Sequence, residues 1–254
     1  MYMKLAVAGK GGSGKTTFSG TMARLLARRG HRVIAIDGDS NPNLAVTLGI
    51  DLARMRDMPT LPNNLLRRTG NGVEMTKTLE EVCDSHSLQG PDGVTLLVMA
   101  NPQHAGTGCL CGMHATVRTI IGEVPDSDED VSILDTEASP EHLSRGTAMY
   151  ADTMLAVVEP YYKSLETGRR MAVLAKDLGL ERVALVANKV RDERDRAAVE
   201  QFAQANGLEI AGVIPFDDRL PDAERAGVAP LDHAPDAPAV VAIRDLAENM
   251  VRDG

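Results

Sequence analysis

A glycine-rich loop near the amino terminus has the residue types needed to bind the phosphates of a nucleotide. It follows a short aliphatic run and fits the pattern G-x-x-x-x-G-K-[ST], with the residues Gly9, Lys10, Gly11, Gly12, Ser13, Gly14, Lys15, Thr16 and Thr17. Glycines let backbone N–H groups converge on phosphate oxygens, and the start of the following helix adds positive potential. Lys15 is expected to contact the phosphates as a catalytic cation and Thr16 to bind Mg²⁺ through its hydroxyl. The loop predicts a nucleotide site whose cofactor-binding residues extend from 11 to 17.

Carboxylates follow two further aliphatic runs. Asp37 and Asp39 come at the end of the second run, and Asp135 ends the fourth. Because the carboxyl ends of parallel strands meet at one edge of a sheet, we expect these side chains to lie beside the phosphate loop. Asp135 is predicted to hold Mg²⁺ directly or through water, and Asp39 to orient or deprotonate the attacking water with Asp37 supporting it. The alternative role for all three is to cap the segments that follow them.

The nucleotide base is predicted from two later segments. Asn188 and Lys189 form an N-K dipeptide, but Arg191 stands where a guanine-reading N-K-x-D motif needs Asp. Guanine is therefore disfavoured, and we expect ATP. Asn188 is predicted to contact adenine through its side chain, and Pro215 to lie in a segment that supplies backbone groups and an apolar wall. A simple turn proline is the alternative for Pro215.

Two cysteines separated by one residue could bind a metal ion. Cys109 and Cys111 offer two thiolates, whereas soft ions such as Zn²⁺ and Ni²⁺ usually take four ligands. A two-fold homodimer would supply the other two from the same loop of a second chain. Met113 and His114 are possible additional ligands, and a polar helix cap is the alternative for His114. Small buried hydrophobes are the alternative for the cysteine pair, and the isolated Cys83 is expected to be structural or incidental.

A second lysine in the loop is typical of one family among the proteins that have such phosphate loops. Lys10 makes the loop K-G-G-x-G-K-T, which resembles the deviant Walker A ATPases, the family of the partition ATPases, the division-site ATPase MinD, the nitrogenase iron protein and the nickel-insertion ATPases of carbon monoxide dehydrogenase. The resemblance implies that Lys10 is catalytic and reaches across a nucleotide-sandwich dimer to the partner's phosphates, so that hydrolysis waits for dimerisation. A solvated loop charge is the alternative.

Two further motifs resemble the CooC-type nickel-insertion group within that family. These are G-C-x-C-x-x-H-A-T-V-R, which begins at residue 108, and D-x-E-A-x-x-E-H-L-x-R-G, which begins at Asp135. The likeness extends from Met3 to about Val251, and Ser139 departs from it where the group has Gly. It implies a Mg²⁺-dependent ATP hydrolase that forms homodimers and serves as a metallochaperone for a carbon monoxide dehydrogenase-like client. A partition or division ATPase and an iron–sulfur carrier remain alternatives, although relatives that bind clusters space their cysteines differently.

Charge and composition exclude several classes of function. The chain has 254 residues with 27 basic and 36 acidic side chains, a net charge of −9. This acidic balance disfavours a nucleic-acid partner, and the mixed charges of the last helical segment disfavour a membrane-binding tail. We see neither an apolar run of about 20 residues nor a signal-peptide pattern. A cytoplasmic location is therefore expected.

The elements that must position these residues alternate along the chain. Continuous aliphatic runs are typical of strands buried on both faces, and here they cover residues 4–8, 32–36, 95–100, 131–135, 154–158, 182–187 and 209–214. Stretches of helical period lie between most of them. The alternation predicts an α/β fold with a doubly wound, mostly parallel sheet of about seven or eight strands, in one P-loop ATPase domain over residues 1–254. We predict a surface insertion at 55–71 and a solvated acidic loop at 123–130.

Overall fold

The fold is built on one twisted sheet, seen in a computed structural model that describes residues 3–70, 72–101, 111–125, 129–138 and 141–252. Eight strands lie in the order β10-β9-β8-β1-β7-β2-β6-β5, and β3 pairs with β4 in a separate hairpin. Neighbouring strands of the large sheet run parallel except at the β5–β6 edge, which is antiparallel. The predicted doubly wound α/β sheet is confirmed. The strands are β1 Met3–Gly9, β2 Arg32–Gly38, β3 Leu66–Thr69, β4 Gly72–Met75, β5 Ser87–Gln89, β6 Thr95–Val98, β7 Asp130–Thr136, β8 Thr153–Val158, β9 Arg182–Val190 and β10 Glu209–Pro215.

Helices cover both faces of this sheet. They are α1 Lys15–Ala27, α2 Leu44–Leu48, α3 Leu52–Met55, α4 Leu79–His86, α5 Cys111–Glu123, α6 Glu141–Ser144, α7 Tyr162–Asp177, α8 Glu193–Asn206, α9 Arg219–Ala226, α10 Pro230–His233 and α11 Pro238–Arg252. One face carries an aliphatic cluster shared by α1 and α11, and the other carries a cluster to which α5 and α7 contribute. Across the described ranges, no helix combines the length and the hydropathy needed to cross a bilayer.

Strand register brings the predicted carboxylates together. Asp135 on β7 is the register partner of Val7 on β1 and of Asp37 on β2. Since β1 leads directly into the phosphate loop two residues after Val7, both carboxylates lie at the carboxyl edge of the sheet next to that loop. The central position of β1 and β7 in the sheet therefore positions the site.

A buried arginine fixes helix α1 against the carboxyl-terminal part of the chain. Arg24 is 2% exposed, and its guanidinium donates to both carboxylate oxygens of Asp232, at 2.5 and 2.9 Å. Its Nε donates to Asp92 at 2.7 Å. Two carboxylates thus satisfy one buried cation, as a buried charge requires. The contact holds α10 beside α1, whose first residues Lys15, Thr16 and Thr17 line the cavity at the phosphate loop.

Three segments are buried to a different extent than their sequence predicts. The acidic region is not solvated to its end, because Asp130 is 2% exposed and accepts two hydrogen bonds from Arg32 at 2.5 and 2.7 Å. The predicted surface insertion contributes Leu61 and Leu65 to the core, at 3% and 1% exposure. Strand β10 lies at the sheet edge and most of its residues are only partly buried, so it is not a strand buried on both faces.

Candidate nucleotide site

The phosphate loop requires glycine where the chain passes close to its neighbours. At Gly9, with φ +151°, a Cβ atom would lie 2.4 Å from the carbonyl oxygen of Val157 on β8. At Gly14, with φ +92°, a Cβ atom would lie 2.4 Å from Nδ2 of Asn188. The Ser13 N–H closes the loop by donating to the Lys10 carbonyl at 3.1 Å. Close approach and left-handed backbone explain why these positions are glycine.

A cavity of about 590 Å³ opens at this loop, a volume within the range of small-molecule sites. Lys15 and Thr16 in the first turn of α1 line it, and Asp39 lines it from the end of β2. Lys15 is 7% exposed. The hydroxyl of Ser13 is buried and has no hydrogen-bond partner within the described residues. Because buried hydroxyls are normally paired, this unpartnered atom fits a loop that binds a polar ligand.

The two buried carboxylates have raised pKa values. Asp37 accepts the N–H groups of Asp39 at 3.1 Å, Asn43 at 2.9 Å and Leu44 at 2.9 Å. Burial, and then the charge of Asp135, raise the pKa of Asp37 to about 7 despite these bonds. Asp37 thus holds the backbone of Asp39 and also caps α2, as the capping alternative expected.

Asp135 accepts a hydrogen bond from the Ser19 hydroxyl at 3.0 Å. Burial is the main cause that raises the pKa of Asp135 to about 6, while the Thr16 hydroxyl and the charge of Lys15 act in the opposite direction. Two carboxylates buried next to each other favour the binding of a cation.

Mg²⁺ would need the nucleotide to complete its coordination. Among the described residues, no three His, Cys, Asp or Glu side chains converge on one point that could hold a metal ion. Mg²⁺ commonly uses one or two protein oxygens together with phosphate oxygens and water. The Thr16 hydroxyl and the Asp135 carboxylate, in mutual hydrogen-bond contact, fit that pattern. Asp39 is half-buried and accepts the Asn41 N–H at 2.9 Å.

A second cavity of about 150 Å³ adjoins the loop where the base is predicted. Asn188, Pro215 and Phe216 line it together with Gly14 and Thr17. The side chain of Asn188 also contacts the phosphate loop itself, because its Nδ2 donates to the Ser13 carbonyl at 2.7 Å. The N-K dipeptide predicts a contact of Asn188 with the base, but it does not predict this second contact with the phosphate loop.

The two lysines of the loop have different environments. Lys15 lines the large cavity, whereas the Nζ of Lys10 lies 5.3 Å from the centroid of the Tyr161 ring. Tyr161 directly precedes α7, and its hydroxyl donates to Glu159 at 2.8 Å. Lys10 is therefore on the side of the loop that faces α7. A cation over an aromatic ring at this distance is a stabilising contact.

The predicted metal motif lies mostly outside the described residues. Cys109 is not described, and for Cys111 only the backbone is given, as the first residue of α5. His114 in the first turn is 2% exposed, and its Nδ1 lies 3.1 Å from the Thr147 hydroxyl. Burial, with the nearby charge of Arg145, lowers the pKa of His114. His114 is thus buried and contacts the segment that follows α6. Met113 is 4% exposed and belongs to the core.

Comparisons with known proteins agree with this geometry. The family model described as the CobQ/CobB/MinD/ParA nucleotide binding domain matches residues 4–231. The chain is 35% identical to the carbon monoxide dehydrogenase accessory protein CooC of Rhodospirillum rubrum, over 92% of this chain and 91% of that protein. It is 34% identical to an uncharacterized ATP-binding protein of Methanocaldococcus jannaschii, over 89% and 90% respectively. The fold is similar to that of MinD complexed with Mg-ADP from Pyrococcus horikoshii, with a TM-score of 0.75, 20% identity and coverage of 98% and 96%.

Proposed function

Because this chain belongs to the CobQ/CobB/MinD/ParA family and is an ATPase of the MinD/ParA type, we propose that it is an ATP-dependent homodimeric metallochaperone. Its cargo is a soft divalent metal ion, nickel in the physiological case, and its client is a carbon monoxide dehydrogenase-like metalloenzyme in the cytoplasm. The observation that carries this proposal is the Cys-x-Cys motif of Cys109 and Cys111 in a chain similar to CooC over nearly its whole length.

The proposal gives each residue of the nucleotide site one task. Lys15 neutralises phosphate charge within its own chain, and Lys10 does so across the dimer. Thr16 and Asp135 hold Mg²⁺, and Asp39 orients the water that attacks the terminal phosphate. The loop residues from Gly11 to Thr17 bind the phosphates, while Asn188 and Pro215 flank adenine. The positions of Lys15, Thr16 and Asp39 in the large cavity, and of Asn188 and Pro215 in the small one, support their tasks.

The metal site is formed by Cys109 and Cys111 of both chains, which together provide four thiolates for Zn²⁺ or Ni²⁺. A contact between α5 and the segment after β7 supports a link between metal and nucleotide. The Thr147 hydroxyl donates to the His142 carbonyl at 2.9 Å and contacts His114 at 3.1 Å. This segment follows Asp135 in the chain, so a shift that starts at the Mg²⁺ ligand has a short route to the helix that begins with Cys111.

The stoichiometry of metal binding tests the proposal. We expect one Zn²⁺ or Ni²⁺ per dimer, measured by calorimetry and chelator competition with and without a non-hydrolysable ATP analogue. The Cys111→Ala change removes two of four ligands and should abolish tight binding, whereas Cys83→Ala is the matched control because that half-buried thiol lies on α4. By linkage, the analogue should tighten metal binding by the same factor by which metal tightens analogue binding.

Three outcomes would contradict the metallochaperone. One ion per monomer, or binding that survives loss of both Cys109 and Cys111, would remove the bridging site. A visible absorption band in anaerobically purified protein would instead indicate an iron–sulfur cluster, since Zn²⁺ does not absorb visible light.

A further inference from the structure

We propose that Lys189 and Glu159 are positioning residues that fix the backbone of the phosphate loop. Lys189 lies on β9, and its Nζ donates to the Gly12 carbonyl at 2.5 Å and to Glu159 Oε1 at 3.0 Å. Glu159 directly follows β8, the strand between β9 and β1. The inference concerns ATP binding alone and does not depend on the metal cargo.

Asn188 completes this brace on the next peptide of the loop. Its Nδ2 donates to the Ser13 carbonyl at 2.7 Å, and its Oδ1 accepts the Lys189 N–H at 2.9 Å. Consecutive residues of β9 therefore hold the carbonyl oxygens of two consecutive loop residues, Gly12 and Ser13. Because a trans peptide is planar, fixing one carbonyl fixes the following N–H in the opposite direction. The brace thereby sets the direction of the Ser13 and Gly14 N–H groups.

The backbone of Lys189 indicates that this arrangement is specific. Lys189 has φ +59°, a left-handed conformation that residues with a Cβ rarely adopt. Such conformations persist where surrounding contacts determine them, and they are frequent at functional sites. Here the contacts are the Asn188 amide on the main chain and the loop carbonyl and Glu159 on the side chain. A solvated lysine would have no reason to keep this backbone.

Glu159 is oriented as the partner of Lys189. Its side chain is 16% exposed, and its two oxygens are divided between Lys189 and the Tyr161 hydroxyl, which donates to Oε2 at 2.8 Å. A carboxylate held at both oxygens gives the ammonium group a fixed direction. A charge-assisted bond to a carbonyl is stronger than a neutral one, so the pair can restrain a glycine-rich loop.

The Lys189→Met variant tests the brace. Methionine has a similar length and no branch at Cβ, so the strain at φ +59° stays nearly the same while both Nζ bonds are lost. We expect the Kd for ATP and for ADP to rise about tenfold. Because both Nζ bonds of Lys189 go to the loop carbonyl and to Glu159, we expect the Kd for GTP to rise by the same factor and leave the ATP-to-GTP ratio unchanged. KM should rise accordingly, with kcat within about threefold of the parent.

A loss of positive charge near the phosphates could also weaken ATP binding, and Glu159→Ala separates the two explanations. Long-range electrostatics predicts that removing this negative charge tightens ATP binding. The brace predicts the opposite sign, because Lys189 loses its oriented partner, and we expect the Kd for ATP to rise about threefold to fivefold. If Lys189→Met fails to fold, Glu159→Ala carries the test alone.

Lys163→Met is the matched control, since this exposed lysine on α7 undergoes the same substitution and the same change in charge. We expect its Kd for ATP to stay within twofold of the parent. The proposal is overturned if Lys189→Met behaves like this control, if the ATP-to-GTP ratio changes, or if Glu159→Ala binds ATP more tightly. All measurements use protein free of Ni²⁺ and Zn²⁺ in buffer that contains Mg²⁺, so a failed nickel proposal would leave this result intact.

Discussion

The phosphate loop and the first turn of α5 differ in how the rest of the chain holds them. Carbonyl oxygens of the loop accept hydrogen bonds from Asn188 and Lys189 on β9. Among the described residues, the first turn of α5 contacts other segments through the pair of His114 and Thr147 and through the packing of Met113. The loop is thus held by a strand of the central sheet, whereas the first turn of α5 contacts the segment that follows Asp135, the proposed Mg²⁺ ligand. The difference suggests that the nucleotide site is the fixed partner and α5 the responsive one.

The first prediction concerns the rate of ATP hydrolysis at the phosphate loop, where we expect the largest change. Asp39→Asn removes the charge that we propose orients the attacking water, and it leaves the residues of the phosphate loop unchanged. We expect hydrolysis to slow by roughly 10²- to 10⁴-fold, as for loss of a general base, while the Kd for Mg²⁺·ATP stays within about threefold. Single-turnover hydrolysis at the parental rate would assign the catalytic role to another residue.

Lys15→Ala should weaken ATP binding at the phosphate loop without weakening metal binding at the Cys-x-Cys motif. It removes a buried cation from the cavity, and loss of a charge-assisted contact worth roughly 2–3 kcal/mol predicts a rise of about 100-fold in the Kd for ATP. Metal binding measured without nucleotide should persist, because α5 does not contact this side chain through any described bond. Lys10→Ala is the comparison, since it should keep most ATP binding and lose ATP-dependent dimerisation. Equal dimerisation of Lys10→Ala and the parent would contradict the role across the dimer.

A pH dependence of stability follows from the buried Asp135. Its pKa is raised from 3.8 to about 6 by burial, so the ionised carboxylate destabilises the folded state, fully so above pH 6. The penalty is relieved as pH falls through 6 towards 4. Nucleotide-free protein should therefore gain roughly 1–1.5 kcal/mol in free energy of unfolding from this group between pH 7.5 and 5.

Denaturant unfolding across that pH range measures the effect, with Asp135→Asn as the variant. The amide cannot ionise, so its stability should change less with pH than that of the parent. If both proteins show the same pH profile, Asp135 is not the source of the dependence.

The smallest expected effect tests whether α5 responds to the nucleotide. Thr147→Val removes the hydroxyl that contacts His114 and should reduce the linkage between ATP analogue and Zn²⁺ by about threefold to tenfold. Zn²⁺ affinity without nucleotide should change little. Thr119→Val is the control, because in the part of the chain that the structure describes that hydroxyl donates within α5, to the Ala115 carbonyl at 2.9 Å. Undiminished linkage in Thr147→Val would mean that the coupling follows another route.

Functional residues that belong to one short stretch of the chain could be predicted from local sequence patterns. The phosphate loop could be recognised because its function needs glycines and a lysine at fixed spacing on one turn. The strand-end carboxylates could be placed because parallel strands share one carboxyl edge. By contrast, Leu61 and Leu65 look like part of a Pro-containing surface segment, and only packing against the sheet makes them core residues. Asp130 is buried because Arg32, 98 residues away, pairs with it.

A mostly parallel α/β sheet, a phosphate loop of the deviant Walker A type and acidic residues beside it can all be predicted from the sequence. These properties depend on periodicity and on spacing within single turns. The contacts of Lys189 with the loop and with Glu159, of Lys10 with Tyr161 and of His114 with Thr147 are visible only in the folded structure. Those contacts join residues from strands and helices far apart in the chain, so their geometry depends on the packing of the whole sheet.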